Sequence, residues 1–302
     1  MIFATLATDE NERRAAQFLI SSIRQYAGCY RDSQILMYST SKETTYPFRD
    51  SSGNTSQIPL SEYPANAPYF FADKVQAWVQ AEVLLENQTD TLVWIDPLCL
   101  VLREPGQFAL LQDNAAAFRP VHIQNIGLSS QSPLDYFWQA IYDQCNTPRQ
   151  TESVESFVDE NSILPYFNTH CFSINPKLGV LRRTAQNLKD LTQNSQFVET
   201  CLSDHIHKIF LFQAVLSATV LSCCSLSKIQ ILTPDYSYPF HFQEKITLQK
   251  RITDLSKITT LVYEDFGNLE KLFQQLKSSE EIRSWYENLN STLSPLDNNV
   301  TS

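Results

Sequence analysis

The sequence predicts an α/β protein, a three-layer α/β/α sandwich with a mostly parallel mixed central sheet. One sign is the run TLVWI at residues 91–95, in which β-branched and aromatic residues follow one another without a break. Such runs are typical of strands covered on both faces, as in parallel sheets. A second sign is the start of the chain, where strands at 2–7 and 34–39 flank a helix between Asp9 and Gly28, a β–α–β unit.

Asp96 directly follows the run at 91–95 and precedes Pro97. Proline lacks a backbone donor and disfavours the helical conformation in the residue before it, so the strand should end here. A second short strand is predicted at 98–102. Asp96 therefore stands at the carboxyl end of a buried strand, where open α/β sheets bind their ligands. From this stretch alone, an aspartate that accepts backbone donors in the turn is an equally good interpretation.

The β–α–β unit provides further candidates at the same edge of the sheet. It brings Ala7 and Thr8 to the carboxyl end of the first strand and Ser39 to the end of the second. Asp9 follows them and has the capping-box spacing to Glu12. For Asp9, a plain helix cap is favoured over contact with a ligand.

Two cations are candidates for contact with an anionic ligand. Lys74 lies near the start of a predicted helix at 71–86, where the helix dipole disfavours a cation unless an anion offsets it. That anion could be a ligand, although an exposed lysine beside Asp73 is the commoner arrangement. Arg119 is predicted at the end of a strand at 115–120.

Three polar residues in the second half of the chain are further candidates. Asn168 lies among aromatic residues at the amino end of a predicted strand at 171–175. Gln213 falls on the apolar face of a helix at 204–223 and needs a polar partner, either a backbone group or a ligand. His241 ends an irregular aromatic segment, which makes it a candidate ligand in a pocket wall.

Composition excludes several classes of protein. The net charge is −10 and no block of lysine or arginine occurs, so nucleic acid is not an expected partner. The six glycines form neither a GxGxxG fingerprint nor a Walker loop, which argues against a dinucleotide-binding Rossmann domain and a P-loop NTPase. The helix at 204–223 is interrupted by polar residues, so a buried core helix is expected rather than a transmembrane segment.

The chain is expected to form a single catalytic-type domain over residues 1–265. Residues 266–302 are expected to be a C-terminal helical tail with a disordered end. The seven cysteines are odd in number and contain no CxxC pair, so we expect reduced core cysteines. The start of the chain lacks the basic lead-in of a signal peptide. A cytoplasmic protein is therefore expected.

The order of segments over residues 2–241 resembles the nucleotide-diphospho-sugar transferases of GT-A fold, particularly the glycogenin and galactosyltransferase-like group. The matching segments read FATLATDENERRAAQFLISSIR, ADKVQAWVQAEVLL, TLVWIDPLCLVLREP, YFNTHCFSIN, DHIHKIFLFQAVLSA and YSYPFHF. In that group the six segments correspond, in the same order, to half of a nucleotide pocket, a helix that carries a lysine, the strand that ends in Asp-x-Asp, a segment that contains an asparagine, a helix that contains a glutamine, and a segment of aromatic residues and a histidine. Their common order makes the resemblance moderately specific.

The resemblance implies a glycosyltransferase that moves a sugar from a nucleotide-sugar donor to an unknown acceptor. It implies a Mn²⁺ or Mg²⁺ ion that neutralises the leaving diphosphate. It further implies a role for each candidate: catalytic for Asp96, Asn168 and Gln213, metal-binding for Asp96 and His241, and donor-binding for Ala7, Thr8, Asp9, Ser39, Lys74 and Arg119.

The chain departs from the group at two motifs. Leu98 stands where the second carboxylate of Asp-x-Asp is expected, and Thr169-His170 replaces a small Ala-Gly pair after Asn168. These changes leave open an alternative of another class, a catalytically inactive GT-A-fold protein that acts as a binding or scaffolding module. A related nucleotidyltransferase is a third hypothesis, but that group carries a glycine-rich N-terminal loop, which this chain lacks.

Overall fold

The structure, a computed structural model, describes residues 1–40, 50, 53–61, 69–111 and 113–293. The strands are β1 (Ile2–Ala7), β2 (Ile35–Ser39), β3 (Thr55–Pro59), β4 (Leu92–Ile95), β5 (Cys99–Val101), β6 (Ala116–Pro120), β7 (Val154–Glu155), β8 (Ser162–Ile163), β9 (Phe167–Ile174), β10 (Ile229–Ile231), β11 (Tyr238–Pro239) and β12 (Thr260–Val262). The α-helices are α1 (Glu10–Tyr26), α2 (Ala72–Leu85), α3 (Tyr136–Cys145), α4 (Val180–Gln193), α5 (Ser195–Cys201), α6 (His205–Cys223), α7 (Phe266–Gln275) and α8 (Glu280–Leu293).

A seven-stranded sheet in the order β10-β6-β9-β4-β1-β2-β3 forms the centre of the fold. All neighbouring strands are parallel except at β9, which runs antiparallel to both β4 and β6. The predicted mostly parallel, mixed sheet is confirmed. Because β9 is reversed, its amino end lies at the same edge as the carboxyl ends of β1, β2, β4 and β6. We call this edge the carboxyl edge.

The two faces of the sheet are covered differently. One face packs against α2, α3, α4 and α6, and there Trp78 of α2 meets Trp94 of β4 edge-on at 6.0 Å and Phe172 of β9 at 5.5 Å. The other face packs against α1 and a small sheet of β11, β12 and β5. The small sheet was not predicted as a separate unit. It brings the chain after β12 to the carboxyl edge.

Helix α6 is a core helix, as predicted. Among the described residues it alone is long and apolar enough to cross a membrane, but most of it is buried inside the protein. Ser217 Oγ accepts a hydrogen bond from the backbone N–H of Phe167 at 3.0 Å, which ties α6 to the start of β9. The sequence pattern and the packing thus agree on the role of this helix.

One strand begins earlier than predicted. Asn168 and His170 lie within β9 rather than before it, because the pairing of β9 with β6 extends from Ile174 back to Phe167. Helix α3 begins at Tyr136, because the side chain of Asp135 accepts a hydrogen bond from the backbone N–H of Trp138 and caps the helix there.

The C-terminal helices pack against α1. Trp285 of α8 donates its indole N–H to Ser21 Oγ at 2.8 Å and lies edge-on to Phe18 at 6.3 Å. The boundary at residue 265 between a domain and a tail stays a prediction. The predicted disordered end comprised the last dozen residues: residues 291–293 belong to α8, which corrects the prediction there, and residues 294–302 lie outside the described residues.

Candidate functional site at the carboxyl edge

Asp96 lies at the carboxyl edge, at the end of β4, and two side chains hold its carboxylate. The ammonium of Lys74 donates to Oδ2 at 2.6 Å, and the indole N–H of Trp94 donates to Oδ1 at 2.7 Å. The Lys74–Asp96 pair is largely buried, with side chains 11% and 15% exposed. The cation near the start of α2 is therefore offset by Asp96 rather than by Asp73.

Leu98, which stands where a second carboxylate was expected, has a glutamate close by in the fold. The backbone N–H of Tyr263, at the end of β12, donates to Leu98 O at 3.1 Å, so the next residue, Glu264, follows directly. Glu264 has a φ of +67°, and Asp265 N donates back to Tyr263 O at 2.8 Å. This tight turn is strained for a residue with a side chain.

The carboxylate of Glu264 meets two imidazoles. His170 Nε2 lies 3.3 Å from Glu264 Oε1, and His241 Nε2 lies 3.8 Å from the same oxygen. Although burial favours the protonated form of Glu264, these imidazoles and Lys74 outweigh it and lower the pKa to about 2. Glu264 is thus a carboxylate anion held by the cluster.

The surroundings of His170 favour its imidazolium form. Its backbone N–H donates to Asn168 Oδ1 at 2.8 Å, which identifies that atom as the amide oxygen. The ring Nδ1 lies 2.8 Å from the same oxygen, and Nε2 faces Glu264. Both ring nitrogens therefore face acceptors. Burial opposes protonation, but the Glu264 carboxylate outweighs it and raises the pKa of His170.

A third imidazole, His122, lies behind the other two. Its ring stacks on His170 with centroids 6.0 Å apart and lies edge-on to His241 at 6.3 Å. Both of its nitrogens are buried without a hydrogen-bond partner. Burial, together with the charges of His170 and Arg119, lowers the pKa of His122 well below its usual value. This ring is neutral and adds no charge to the cluster.

Arg119 was predicted to contact phosphates but is buried in β6. Its Nη1 donates to Leu232 O at 3.2 Å, and its guanidinium lies 5.0 Å from the centre of the Phe157 ring. Burial lowers the pKa of Arg119 to about 10. Its Nε and Nη2 have no hydrogen-bond partner. The charge of Arg119 helps to lower the pKa of His122. A role for Arg119 in binding a phosphate stays a prediction.

Gln213 is buried on α6 beside Phe212, whose ring centre lies 5.4 Å from the Lys74 ammonium. Within the part of the chain that the structure describes, the Gln213 side chain shares no hydrogen bond or ion pair with Asp96 or Asn168. The sequence predicted a backbone group or a ligand as the partner of Gln213, and its contact with a sugar stays a prediction.

The candidates from the opening β–α–β unit lie beside Asp96. The register pairs Ala4 with Trp94, so Ala7 at the end of β1, and Thr8 directly after it, lie next to the end of β4. Asp9 caps α1 by accepting from Glu12 N at 2.8 Å, which confirms the helix cap favoured from the sequence. The Glu12 carboxylate accepts from Thr8, through N at 2.7 Å and Oγ1 at 2.6 Å.

Ser39 ends β2, the next strand of the sheet. Its hydroxyl accepts a hydrogen bond from Arg13 Nη2 at 3.1 Å. Residues 7, 8, 9 and 39 thus meet along one stretch of the carboxyl edge, as the β–α–β prediction requires. Their part in binding a nucleotide stays a prediction.

The residues at Asp96 do not fit a divalent cation. Both carboxylate oxygens already accept hydrogen bonds, and the Lys74 ammonium at 2.6 Å would repel Mg²⁺ or Mn²⁺. These ions prefer oxygen ligands, and residue 98 supplies none. Among the described residues, no group of three or more His, Cys, Asp or Glu side chains could hold a metal ion.

Sequence reasoning did not identify Glu264 or His122 as site residues. The signal for Glu264 was an acidic pair following a late strand, the same signal that singled out Asp96. His122 lies in a loop after β6 and carries no local pattern. Only the pairing of β12 with β5 brings Glu264 to the carboxyl edge.

The ion pair between Glu264 and His170 predicts a pH-dependent contribution to stability. The lowered pKa of Glu264 gives stability that is present above about pH 4.5 and lost as pH falls towards 2. The raised pKa of His170 gives stability that is present below about pH 6.5 and lost as pH rises through the raised value. We therefore expect Glu264→Gln to lower the melting temperature most between about pH 4.5 and 6.5.

Thermal denaturation of both proteins over a pH series measures this difference. His122 and His241 have lowered pKa values and contribute in the opposite sense, because they resist protonation as pH falls. Comparing the two proteins at each pH removes most of the effect of His122. A difference that stays constant from pH 4.5 to 9 would show that the pair contributes no charge-dependent stability.

Comparison with solved structures identifies the fold. WbbM, a bifunctional glycosyltransferase, is 14% identical, aligns over 95% of this chain and 51% of its own, and gives a TM-score of 0.53. An active-site mutant of LgtC is 11% identical over 94% of this chain and 100% of its own, with a TM-score of 0.49. GlyE of Streptococcus pneumoniae is 12% identical over 97% of this chain and 61% of its own, also with a TM-score of 0.49. No protein-family model and no curated protein matches the sequence.

At this level of identity the likeness is one of fold, and this chain spans about half the length of WbbM. WbbM is a glycosyltransferase by name, and the mostly parallel, mixed central sheet of this chain agrees with the prediction. The predicted fold, a mixed α/β sandwich of the GT-A nucleotide-sugar transferase type, is confirmed.

Proposed function

We propose that this protein is a glycosyltransferase-like enzyme that takes a sugar from a nucleotide-sugar donor. The observation that carries the proposal is the polar cluster at the carboxyl edge. Lys74, Asp96, His170, His241 and Glu264 come from five separate elements and meet where α/β sheets bind ligands. A cluster of partly buried, charged groups with perturbed pKa values is typical of a functional site.

The charges of the cluster suit a donor that contains a diphosphate. Cleavage of a nucleotide sugar develops negative charge on the leaving nucleoside diphosphate, and fixed cations near it stabilise the transition state. Lys74 and the imidazolium of His170 are such cations. Asn168, held next to His170, is a donor and acceptor of the kind that orients sugar hydroxyls.

A second candidate function is a catalytically inactive protein that binds a partner. Two observations favour it. Asp96 is fully engaged by Lys74 and Trp94, and His170 occupies a position where the resemblance expects a small residue. A protein of this kind would bind its partner without responding to nucleotides, so nucleotide binding separates the two candidates.

The test is a thermal-shift panel of UDP, GDP, CDP and ADP and their sugars, with and without Mn²⁺. We expect at least one nucleotide to raise the melting temperature of the wild type, because ligands that bind the folded state stabilise it. Asp96→Asn should greatly reduce this shift. The change retains an acceptor for Trp94 but removes the charge that positions Lys74.

Asp90→Asn is the matched control. Asp90 precedes the opposite end of the same strand, is 79% exposed and pairs with Lys177 at 2.6 Å. Its loss should leave the nucleotide shift unchanged. If no nucleotide stabilises the wild type, the transferase proposal is wrong and the inactive binding protein is favoured.

A further inference from the structure

We propose that the Glu264 carboxylate is an internal counter-ion at the position that the diphosphate of the donor occupies when it binds. A nucleoside diphosphate displaces this carboxylate, and its binding requires no divalent cation. This inference rests on the proposed function and adds to it the way in which the donor is bound. It starts from a disagreement: the fold implies a metal, but the residues at Asp96 and Leu98 do not fit one.

The first step is the convergence of two imidazoles on one oxygen. His170 and His241 both direct Nε2 at Glu264 Oε1, at 3.3 and 3.8 Å. They come from different elements, the central strand β9 and the turn after β11. Two ring nitrogens that face one carboxylate oxygen can face a phosphate oxygen in the same way, and a protonated nitrogen would donate to it. Glu264 thus occupies a ready-made oxyanion position.

The second step is that Glu264 is held more loosely than Asp96. The side chain of Glu264 is 41% exposed, whereas that of Asp96 is 15% exposed. Asp96 accepts two short side-chain hydrogen bonds, while the contacts of Glu264 are longer. A partly exposed ion pair of this kind contributes little to stability. A ligand anion with more than one oxygen can therefore replace Glu264 at small cost.

The third step is the placement of the carboxylate by a strained turn. Glu264 has a φ of +67° between β12 and α7, a conformation that favours glycine. Strain at a ligand site persists where the surroundings fix it and the function uses it. Here the strain directs a carboxylate at two imidazoles. Rotation of the exposed side chain frees both imidazoles without moving the backbone.

The fourth step is the charge of the cluster. With Glu264 in place, the cations Lys74 and His170 are balanced by Asp96 and Glu264. When a diphosphate takes the place of the Glu264 carboxylate, its negative charge keeps His170 protonated, and Lys74, His170 and Asp96 together carry one net positive charge. The cations of the cluster then attract the diphosphate instead of the Glu264 carboxylate. The cations of the side chains thus take the part that the fold otherwise gives to a metal.

The test is titration calorimetry with UDP, GDP, CDP and ADP in the presence of EDTA. We expect the wild type to bind one of them in EDTA, and Glu264→Gln to bind it up to about fivefold more tightly, the factor that one partly exposed ion pair supports. Glu264→Gly, which also relieves the positive φ, should tighten binding in the same direction. Glu270→Gln, on the exposed side of α7, should change nothing.

The outcomes separate this inference from the proposed function. Binding that EDTA abolishes, or that both Glu264 variants weaken, would overturn the inference, while the proposed function would stand. If neither the wild type nor the variants bind any of the four nucleotides, both proposals are wrong.

Discussion

Replacing Lys74 by methionine is expected to lower the free energy of unfolding by about 3 kcal/mol and to abolish nucleotide binding. The loss of stability follows because the change leaves the Asp96 carboxylate largely buried without its cation, and breaking a buried pair costs about 3–5 kcal/mol. We expect the lower end, because both side chains retain some exposure. The loss of binding follows because Lys74 is the strongest fixed cation of the cluster.

A double variant separates the two effects. Lys74→Met combined with Asp96→Asn removes both charges and leaves an amide oxygen for the Trp94 indole. Replacing a buried ion pair by groups of similar volume is often neutral, so most of the stability should return. Nucleotide binding should not return. Urea denaturation and calorimetry measure the two quantities, and binding restored in the double variant would show that Lys74 acts only by supporting the fold.

Residues whose role depends on a strand end could be predicted from the sequence. Asp96 follows an unbroken apolar run and precedes a proline, so both the end of β4 and the position of the carboxylate follow from local chemistry. Asp9 was predicted as a helix cap from its capping-box spacing to Glu12, and it is one. The carboxyl edge of the sheet, and the residues from β1 and β2 that lie on it, follow from the β–α–β rule.

The partners of those residues could not be predicted, because they depend on long-range pairing. Glu264 lies 166 residues after Leu98 in the sequence, and the antiparallel pairing of β12 with β5 brings it there. The reversal of β9 likewise decides that Asn168 and His170 face the same cluster. Arg119 lies near the end of its strand as expected, but its side chain is buried, where a backbone carbonyl and an aromatic ring hold it.

The carboxylate that is absent at position 98 and the carboxylate that is present at position 264 together explain the chemistry of the site. A carboxylate is missing at Leu98, on the strand that follows Asp96, and one is found beside it at Glu264. The new carboxylate lies among imidazoles rather than oxygen ligands. Asp96 and Glu264 therefore supply two carboxylates, as an Asp-x-Asp motif does. Here the two carboxylates form ion pairs with side-chain cations instead of serving as the oxygen ligands that Mg²⁺ and Mn²⁺ require.

Glu82→Ala is expected to have the largest effect on stability, a loss of about 3–5 kcal/mol. The Glu82 side chain is fully buried. It belongs to α2 but caps the amino end of another helix, α4. Its Oε1 accepts from Leu181 N at 2.9 Å, and its Oε2 accepts from Arg182 N at 2.9 Å and from Arg182 Nε at 3.2 Å. These are first-turn groups of α4, whose own N-cap, Gly179, has no side chain to satisfy them. Truncation leaves the N–H groups and the helix dipole without their anion.

Glu86→Gln is the matched control for this prediction. Glu86 pairs with the same arginine, through Arg182 Nη2 at 2.7 Å, but its side chain is 32% exposed. Exposed pairs contribute about 1 kcal/mol or less, so the control should change the free energy of unfolding by no more than that. Urea denaturation of both variants tests the comparison. Equal losses at positions 82 and 86 would mean that the Arg182 side chain, and not the buried cap on α4, accounts for the stability, because Arg182 is the partner that the two glutamates share.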